Sequence, residues 1–200
     1  MIAAFVFDLD STILQGELLP AIGEAALGDW ELGGKTMESV MGQVPFDRSF
    51  PARVTRLKSV PVAQAAELAL GLPRYEGLCR FLRHNRARCY LATGNLDVWI
   101  APLVRELGLE GHVFSSVAQV EEGYVTGIAS LLDKSTVLAA LPRPIAAIGD
   151  GMNDLPMVLQ ADVGIAFAAS HPVPPVLARA ASVVVQDEAS LLRVLESLGR

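Results

Sequence analysis

The sequence has little cysteine and little positive charge. Only two of its 200 residues are cysteine, Cys79 and Cys89, too few for a disulfide framework and without Cys or His partners at metal-site spacing. We interpret both as reduced thiols that pack as small apolar side chains. Lys and Arg number 16 against 22 Asp and Glu, for a formal net charge of -6. Because no Lys/Arg-rich run occurs, we expect no nucleic-acid or anionic-membrane partner and favour a small-molecule partner.

Long apolar runs are also missing. No stretch approaches the roughly 18 uninterrupted apolar residues of a spanning helix. Residues 1–7 are apolar, but they have no basic flank and end at Asp8, so we predict neither a secretory signal nor a membrane anchor here. The expectation is a cytoplasmic protein, and composition leaves monomer and homodimer equally open.

The remaining composition is that of a folded chain. Apolar residues make up 52% of the sequence and charged residues 19%, whereas disordered chains combine low hydrophobicity with high net charge. A chain of this length fits one domain, or one domain with a modest insertion, and it can bury a sizeable core.

Short apolar runs recur along the chain and predict strands buried on both faces. The first, residues 2–7, ends abruptly in Asp8, which is typical of parallel sheets. Segments with helical spacing separate the runs, which favours an α/β fold with a doubly wound, mostly parallel sheet. The other predicted strands are 89–92, 145–148, 163–167 and 182–185, and the predicted helices are 75–85, 96–107, 134–141, 155–159, 172–180 and 188–198.

One stretch breaks this alternation. Residues 18–72 contain helix-like pieces separated by Gly and Pro, at 18–27, 35–41, 47–57 and 61–70, and no convincing strand. We interpret residues 17–72 as a small helical cap inserted after the first strand, and residues 1–16 and 73–200 as the α/β core. In residues 117–128, Glu121-Glu122-Gly123-Tyr124 supplies turn chemistry between β-prone runs, which predicts a hairpin.

Two carboxylates, Asp8 and Asp10, stand at the end of the first predicted strand. Open α/β sheets bind ligands at this edge, and alternate residues of an extended segment face the same way. Two such charges about 4 Å apart repel by roughly 4 kcal/mol at an effective dielectric constant near 20, so the pair tends to need a cation or a shared proton. Oxygen ligands suit Mg²⁺, although an isolated Asp-x-Asp pair is more often a solvated loop or a helix cap.

Three other segments place polar groups at predicted strand or helix ends. Thr93 and Gly94 follow residues 89–92, with backbone N–H groups where anions bind well. Lys134 opens a predicted helix. Residues 149–154, Gly-Asp-Gly-Met-Asn-Asp, follow the 145–148 run and combine two carboxylates with glycines that let the backbone turn sharply. Each signal is weak alone, since Thr is a common cap and Lys a common surface residue.

Taken in order, these four segments resemble the four motifs of the haloacid dehalogenase superfamily. Residues 7–12, Phe-Asp-Leu-Asp-Ser-Thr, resemble the first motif, Thr93 the second, Lys134 the third and residues 149–154 the fourth. The resemblance spans essentially the whole chain. A helical insertion after the first strand is similar to the cap of the phosphoserine phosphatase branch. Glu17 and Arg53 stand where that branch has its substrate-reading glutamate and arginine.

The resemblance implies a Mg²⁺-dependent phosphomonoester hydrolase acting on a small phosphorylated metabolite. O-phosphoserine is first among the candidates, which implies a place in serine biosynthesis. Asp8 would attack phosphorus and form an aspartyl-phosphate, and Asp10 would protonate the leaving alkoxide and then activate water. Asp8, the backbone carbonyl of Asp10, and Asp150 would hold the metal, and Asp154 would orient the metal site or Lys134.

Other residues would hold the substrate, as the resemblance implies. Glu17 would take an ammonium group and Arg53 a carboxylate, with Arg48 and Arg56 in the same helical stretch as alternatives to Arg53. The residues expected to contact the phosphate are Ser11, Thr93, Gly94, Lys134 and Asn153.

Two residues depart from the pattern of that branch. Thr93 stands where Ser is usual, and Asn95 where a second Gly is usual, so the substrate stays open. The alternatives are a phosphatase of another small metabolite phosphate, a phosphotransferase to an acceptor alcohol and, more distantly, a non-catalytic phospho-ligand binding module. The three histidines, His84, His112 and His171, are interpreted as surface or satisfied core residues.

Overall fold

The structure, a computed structural model, describes residues 1–199 and contains a seven-stranded sheet. Along the sheet the strand order is β4-β3-β2-β1-β5-β6-β7. Every neighbouring pair is parallel except β3 and β4, so the predicted mostly parallel α/β sheet is confirmed. The strands are β1 Ala4–Phe7, β2 Cys89–Leu96, β3 Val113–Glu121, β4 Tyr124–Ser130, β5 Ile145–Gly149, β6 Val163–Phe167 and β7 Val183–Val185.

Nine α-helices accompany the sheet within residues 1–199. All but one of the predicted helices occur at or near their expected positions, and the four predicted after the first strand are all present. The helices are α1 Leu18–Leu27, α2 Glu31–Val40, α3 Phe46–Arg56, α4 Val62–Gly71, α5 Glu76–His84, α6 Asp97–Leu107, α7 Leu155–Gln160, α8 Pro175–Ala180 and α9 Glu188–Gly199.

The prediction of a helix at residues 134–141 is wrong. Only a 3₁₀ turn, Val137–Ala140, forms there. Asp133 instead organises a polar turn, because its side chain accepts the N–H of Ser135 at 2.9 Å and its carbonyl accepts the Thr136 hydroxyl at 2.9 Å. Such local hydrogen bonds compete with helix formation.

The sheet is covered on both faces, as expected for parallel strands. Side chains of β1 alternate between the two layers: Phe5 and Phe7 enter the larger hydrophobic cluster, whereas Ala4 and Val6 enter a second cluster. Helices α5, α6 and α9 contribute to the first cluster, and α7 and the 3₁₀ turn to the second. All four residues of β1 are buried, so the packed core supports the segment that begins at Asp8.

The inserted helices leave the sheet after β1 and return before β2, although these two strands are hydrogen-bonded neighbours. Helices α1, α2 and α3 pack against one another, and α4 packs against both α1 and α6. The insertion therefore lies next to the carboxyl end of β1.

The predicted hairpin is confirmed as β3 and β4, which pair antiparallel at one end of the sheet. Its turn residues Glu122 and Gly123 both have positive φ, 50° and 83°, as a tight hairpin turn requires. None of the helices within residues 1–199 combines the length and the apolar composition of a membrane-spanning segment.

Candidate active site

The four predicted motifs meet at the carboxyl edge of three adjacent strands. Phe7 of β1 lies opposite Leu91 of β2 on one side and Ile148 of β5 on the other. This parallel register places Asp8, Thr93 and Asp150, which follow those positions, at one edge of the sheet. The topology thus gathers residues from distant parts of the sequence.

Lys134 joins two of the carboxylates. Its Nζ lies 2.5 Å from Asp8 Oδ1 and 2.6 Å from Asp154 Oδ1, and the lysine is only 2% exposed. Burial opposes the charge on Lys134, but the attraction of Asp154 and Asp8 outweighs it and raises the pKa of the ammonium group. The lysine is therefore a fixed positive charge beside Asp8.

Asp154 also fixes the loop after β5. Its Oδ2 accepts the N–H groups of Asp150 at 3.0 Å and Gly151 at 2.9 Å. A Cβ at Gly149 would collide with the Asp154 side chain, so glycine is required where the strand meets this loop. Both Asp154 oxygens are thus engaged, one with Lys134 and one with the loop backbone.

The carboxylates form a cluster that fits a metal ion. Oxygens of Asp8, Asp150 and Asp154 lie within 4.8 Å of one another, and all three residues are buried. Burial, reinforced by the neighbouring acids, raises the pKa of Asp8, and burial also raises that of Asp150. A hard divalent cation is the partner that such a set of oxygen donors suits. Two predicted metal ligands, Asp8 and Asp150, belong to this cluster.

Asp10 lies beside the cluster, with both carboxylate oxygens hydrogen-bonded. Oδ1 accepts the backbone N–H of Leu18 at 3.2 Å, and Oδ2 accepts Nδ2 of Asn95 at 2.9 Å. Burial raises the pKa of Asp10 to about 6 despite these bonds. A carboxyl group with such a pKa can exchange a proton near neutral pH.

Two contacts of Asp150 were not predicted from the sequence. Thr12 Oγ1 donates to Asp150 Oδ1 at 3.1 Å, and His171 Nε2 lies 2.8 Å from Asp150 Oδ2. His171, interpreted from the sequence as a surface or satisfied core residue, is instead half-buried and contacts an acid of the carboxylate cluster. Its hydrogen bond to Asp150 raises the pKa of His171 to about 9. One signal was available, because His171 follows β6 at the same sheet edge.

The predicted substrate residues Glu17 and Arg53 both line the cavity above the carboxylates. Ser11 Oγ donates to Glu17 Oε1 at 2.7 Å, and burial, with help from Asp10 and Asp150, raises the pKa of Glu17 to about 8. Ser11, expected at the phosphate, thus contacts Glu17.

Among the three candidate arginines of α3, Arg53 is the one that faces the cavity. It is 6% exposed, its Nη1 donates to Thr36 Oγ1 at 2.9 Å, and its Nε is buried without a partner. Burial lowers the pKa of this guanidinium. Arg48 is exposed, and Arg56 instead pairs with Asp29 at 2.7 Å on the surface.

The cavity that joins these groups has a volume of about 50 Å³. Gly94 and Phe46 both line it and lie close together, because a Cβ on Gly94 would collide with the Phe46 ring. Several residues expected to bind phosphate, Thr93, Gly94 and Asn153, contribute to the wall. The rest of the lining comes from Asp8, Asp10, Glu17, Leu19, Thr36, Ser39, Val40, Phe46, Phe50, Arg53, Asn95, Asp150, Gly151 and Asp154.

Comparison with known proteins places the chain among hydrolases. The family model described as haloacid dehalogenase-like hydrolase matches residues 5–158. This range includes all four motif segments and the helical insertion.

Relatives resemble the chain over most of its length. It is 30% identical to the phosphoserine phosphatase of Lactococcus lactis, covering 96% of this chain and 93% of the relative. It is 31% identical to the phosphoserine phosphatase SerB2 of Mycobacterium tuberculosis, covering 82% of this chain and 44% of the relative. The chain spans about half the length of curated relatives such as the mycobacterial one.

A solved structure supports the fold. The phospho-aspartyl intermediate analogue of a phosphoserine phosphatase superimposes with a TM-score of 0.82 at 24% identity, covering 98% of both chains. At this identity the likeness concerns the architecture, the helical insertion included.

Proposed function

The chain belongs to the haloacid dehalogenase-like hydrolase family, and we propose that it hydrolyses phosphomonoesters of small metabolites, with O-phosphoserine as the favoured substrate. The observation that carries the proposal is the environment of Asp8. This buried carboxylate lies beside the ammonium group of Lys134 and within the acidic cluster of Asp150 and Asp154. This environment combines a carboxylate nucleophile, an ammonium group that can bind the phosphate, and oxygen ligands for a metal ion.

Glu17 and Arg53 support an amino-acid substrate. They bring one carboxylate and one guanidinium to the same small cavity, and a zwitterion needs both. The unpartnered Nε of Arg53 is a buried donor, and a substrate carboxylate would satisfy it. The names of the relatives, phosphoserine phosphatases, agree with this choice.

The reaction proceeds in two steps. In the first, an oxygen of Asp8 attacks phosphorus, the bond from phosphorus to the substrate oxygen breaks, and Asp10 donates its proton to that oxygen. In the second, water attacks phosphorus of the aspartyl-phosphate, Asp10 takes a proton from the water, and the bond to Asp8 breaks. Inorganic phosphate leaves, and Asp8 and Asp10 return to their starting states.

The phosphate is held by the groups around Asp8. Lys134 supplies a fixed charge, and Thr93, Gly94 and Asn153, which line the cavity, supply hydrogen bonds. Asp154 keeps Lys134 in place through its 2.6 Å contact.

Asp8, Asp150 and the backbone carbonyl of Asp10 would hold Mg²⁺. The ion, when bound, offsets the repulsion between the carboxylate nucleophile and the phosphate dianion. Burial raises the pKa of both Asp8 and Asp150, so a positive ion beside them would stabilise both carboxylates in their charged forms.

Three of the inserted helices, α1, α2 and α3, contribute residues to the wall of the cavity. A cavity of about 50 Å³ holds a few water molecules at most, and a phosphorylated amino acid is larger. Phe46 of α3 and Gly94 of β2 both line the cavity, and the Phe46 ring leaves no room for a side chain at position 94. We propose that α1–α3 move away from the sheet to admit substrate and return to exclude water.

The test is phosphate release from a panel of phosphorylated metabolites, with Mg²⁺ and with EDTA. O-phosphoserine is expected among the best substrates, and EDTA should abolish turnover. Asp8→Asn should lower kcat by more than about 1,000-fold, because the nucleophile is lost. Asp47→Asn, on the exposed surface of α3, is the matched control and should retain activity.

Other outcomes favour other functions. Release of alcohol without an equivalent of phosphate, in the presence of an acceptor alcohol, would indicate a phosphotransferase. Binding of beryllofluoride at Asp8 without turnover of any phosphomonoester would indicate a phospho-ligand binding module and overturn the proposal.

A further inference from the structure

The side chain of Asn95 lies between two residues of the proposed active site. Its Nδ2 donates to Asp10 Oδ2 at 2.9 Å and to Thr93 Oγ1 at 3.2 Å. The backbone N–H of Asn95 also donates to Thr93 Oγ1, at 3.2 Å. Asn95 is 2% exposed, so water competes little for these bonds.

These contacts determine what the Thr93 hydroxyl can do. A hydroxyl has two acceptor lone pairs and one proton, and both N–H donors of Asn95 point at the oxygen. Its proton is then free to be donated to another group. Thr93 lines the cavity, where the proposed function places a phosphate oxygen.

The same amide restrains Asp10. One carboxylate oxygen accepts from Leu18, at the start of α1, and the other accepts from Asn95, at the end of β2. Rotation of the carboxyl group would break at least one of the two bonds. Asn95 supplies its donor from the sheet, whereas Leu18 supplies its donor from the inserted helices.

The carbonyl oxygen of the Asn95 side chain gives a reason to reject a purely structural role for this residue. Asn95 Oδ1 is buried and has no hydrogen-bond partner. An unpaired buried acceptor destabilises a fold, and an apolar side chain of similar shape would avoid that penalty. The hydrogen bonds that Nδ2 donates to Asp10 and Thr93 are the reason for an amide side chain at this position.

Building on the proposed function, we propose that Asn95 is a positioning residue: it holds the Asp10 carboxylate for proton transfer to the leaving group and leaves the Thr93 hydroxyl free to donate to the phosphate. In the sequence, Asn95 stands where the related motif usually has a second Gly.

The test compares two esters that differ in their need for a proton donor. O-phosphoserine releases an alkoxide and requires protonation, whereas p-nitrophenyl phosphate releases a stable phenolate. For Asn95→Ala, kcat/KM on O-phosphoserine should fall about 10- to 100-fold, a share of the 100- to 10,000-fold that general acid catalysis contributes. On p-nitrophenyl phosphate it should fall by no more than about fivefold, the share expected from Thr93.

A double-mutant cycle connects this effect to Asp10. Asp10→Asn should show the same preference for the aryl ester, and adding Asn95→Ala to it should increase that preference by less than about twofold. Asn85→Ala, which removes two side-chain hydrogen bonds far from the site, is the control for lost stability. Asn95→Leu keeps the approximate size without the donor and carries the test if Asn95→Ala does not fold.

Equal losses on both esters, or an additive double mutant, would overturn the role of Asn95 and leave the proposed function standing. A wild-type protein that hydrolyses neither ester would overturn the proposed function itself.

Discussion

Thr12 Oγ1 donates a hydrogen bond to Oδ1 of Asp150 at 3.1 Å, and both residues are buried. The two lie 138 residues apart in the sequence, yet the pairing of β1 with β5 places them side by side. The first motif therefore does more than supply carboxylates, because its Thr orients an acid of the fourth motif.

Removal of this hydroxyl should weaken metal binding. Thr12→Val keeps the shape of the side chain but leaves Asp150 without one of its donors. Outer partners of metal ligands contribute about 10- to 100-fold to metal affinity, so the half-saturating Mg²⁺ concentration should rise at least about 10-fold. Activity titrated against Mg²⁺ measures it. Thr55→Val, on the exposed face of α3, is the control, and an unchanged Mg²⁺ requirement in Thr12→Val would contradict the expectation.

Loss of Arg53 should weaken recognition of the substrate carboxylate without slowing the phosphoryl-transfer steps. For Arg53→Ala we expect kcat/KM on O-phosphoserine to fall about 100-fold, because a buried charge-assisted contact to the carboxylate is lost. On p-nitrophenyl phosphate, which lacks that carboxylate, the loss should be less than about threefold. Arg48→Ala, exposed on the same helix, should change neither value. Equal losses on both esters would count against an amino-acid substrate.

The stability of the metal-free protein should depend on Glu17 and pH. The pKa of Glu17 is about 8 in the fold against 4.5 for the free side chain, chiefly because of burial. Between these pH values the folded state holds a proton that the unfolded chain has released, so the free energy of unfolding falls as pH rises.

Thermal unfolding in EDTA from about pH 5 to pH 8 measures this linkage. The Tm of the wild type should fall over this range, and that of Glu17→Gln should fall less steeply. Glu24→Gln, on the exposed side of α1, should follow the wild type. Parallel curves for wild type and Glu17→Gln would show that Glu17 does not titrate in this window.

Substitutions at Gly94 and Phe46 should have non-additive effects on kcat/KM. A methyl group at Gly94 meets the Phe46 ring, so Gly94→Ala should prevent full closure of the inserted helices and lower kcat/KM about 10-fold or more, since small misplacements at a closed site cost up to about 100-fold. In a Phe46→Ala background the space is available, and the same substitution should have a smaller effect. Additive losses in the steady-state kinetics of this cycle would exclude the steric coupling.

Much of the fold could be predicted because its signals are local. The apolar run of β1 ends at Asp8, and the Gly and Pro residues between 18 and 72 delimit helices that the structure contains at nearly the same positions. The motif acids could be located because each follows a strand. Lys134 was assigned to a helix that does not form, since a side-chain hydrogen bond of Asp133 competes with the helical backbone.

The strands, all but one of the helices, the insertion after β1 and the set of acids follow from the amino-acid sequence, because hydrophobic period and turn chemistry act between residues close in the chain. Which side chains meet depends on the three-dimensional fold. The links from Thr12 and His171 to Asp150, and from Asn95 to Asp10, span 138, 21 and 85 residues. Such contacts depend on strand order and on the direction of individual side chains, and no local pattern encodes either.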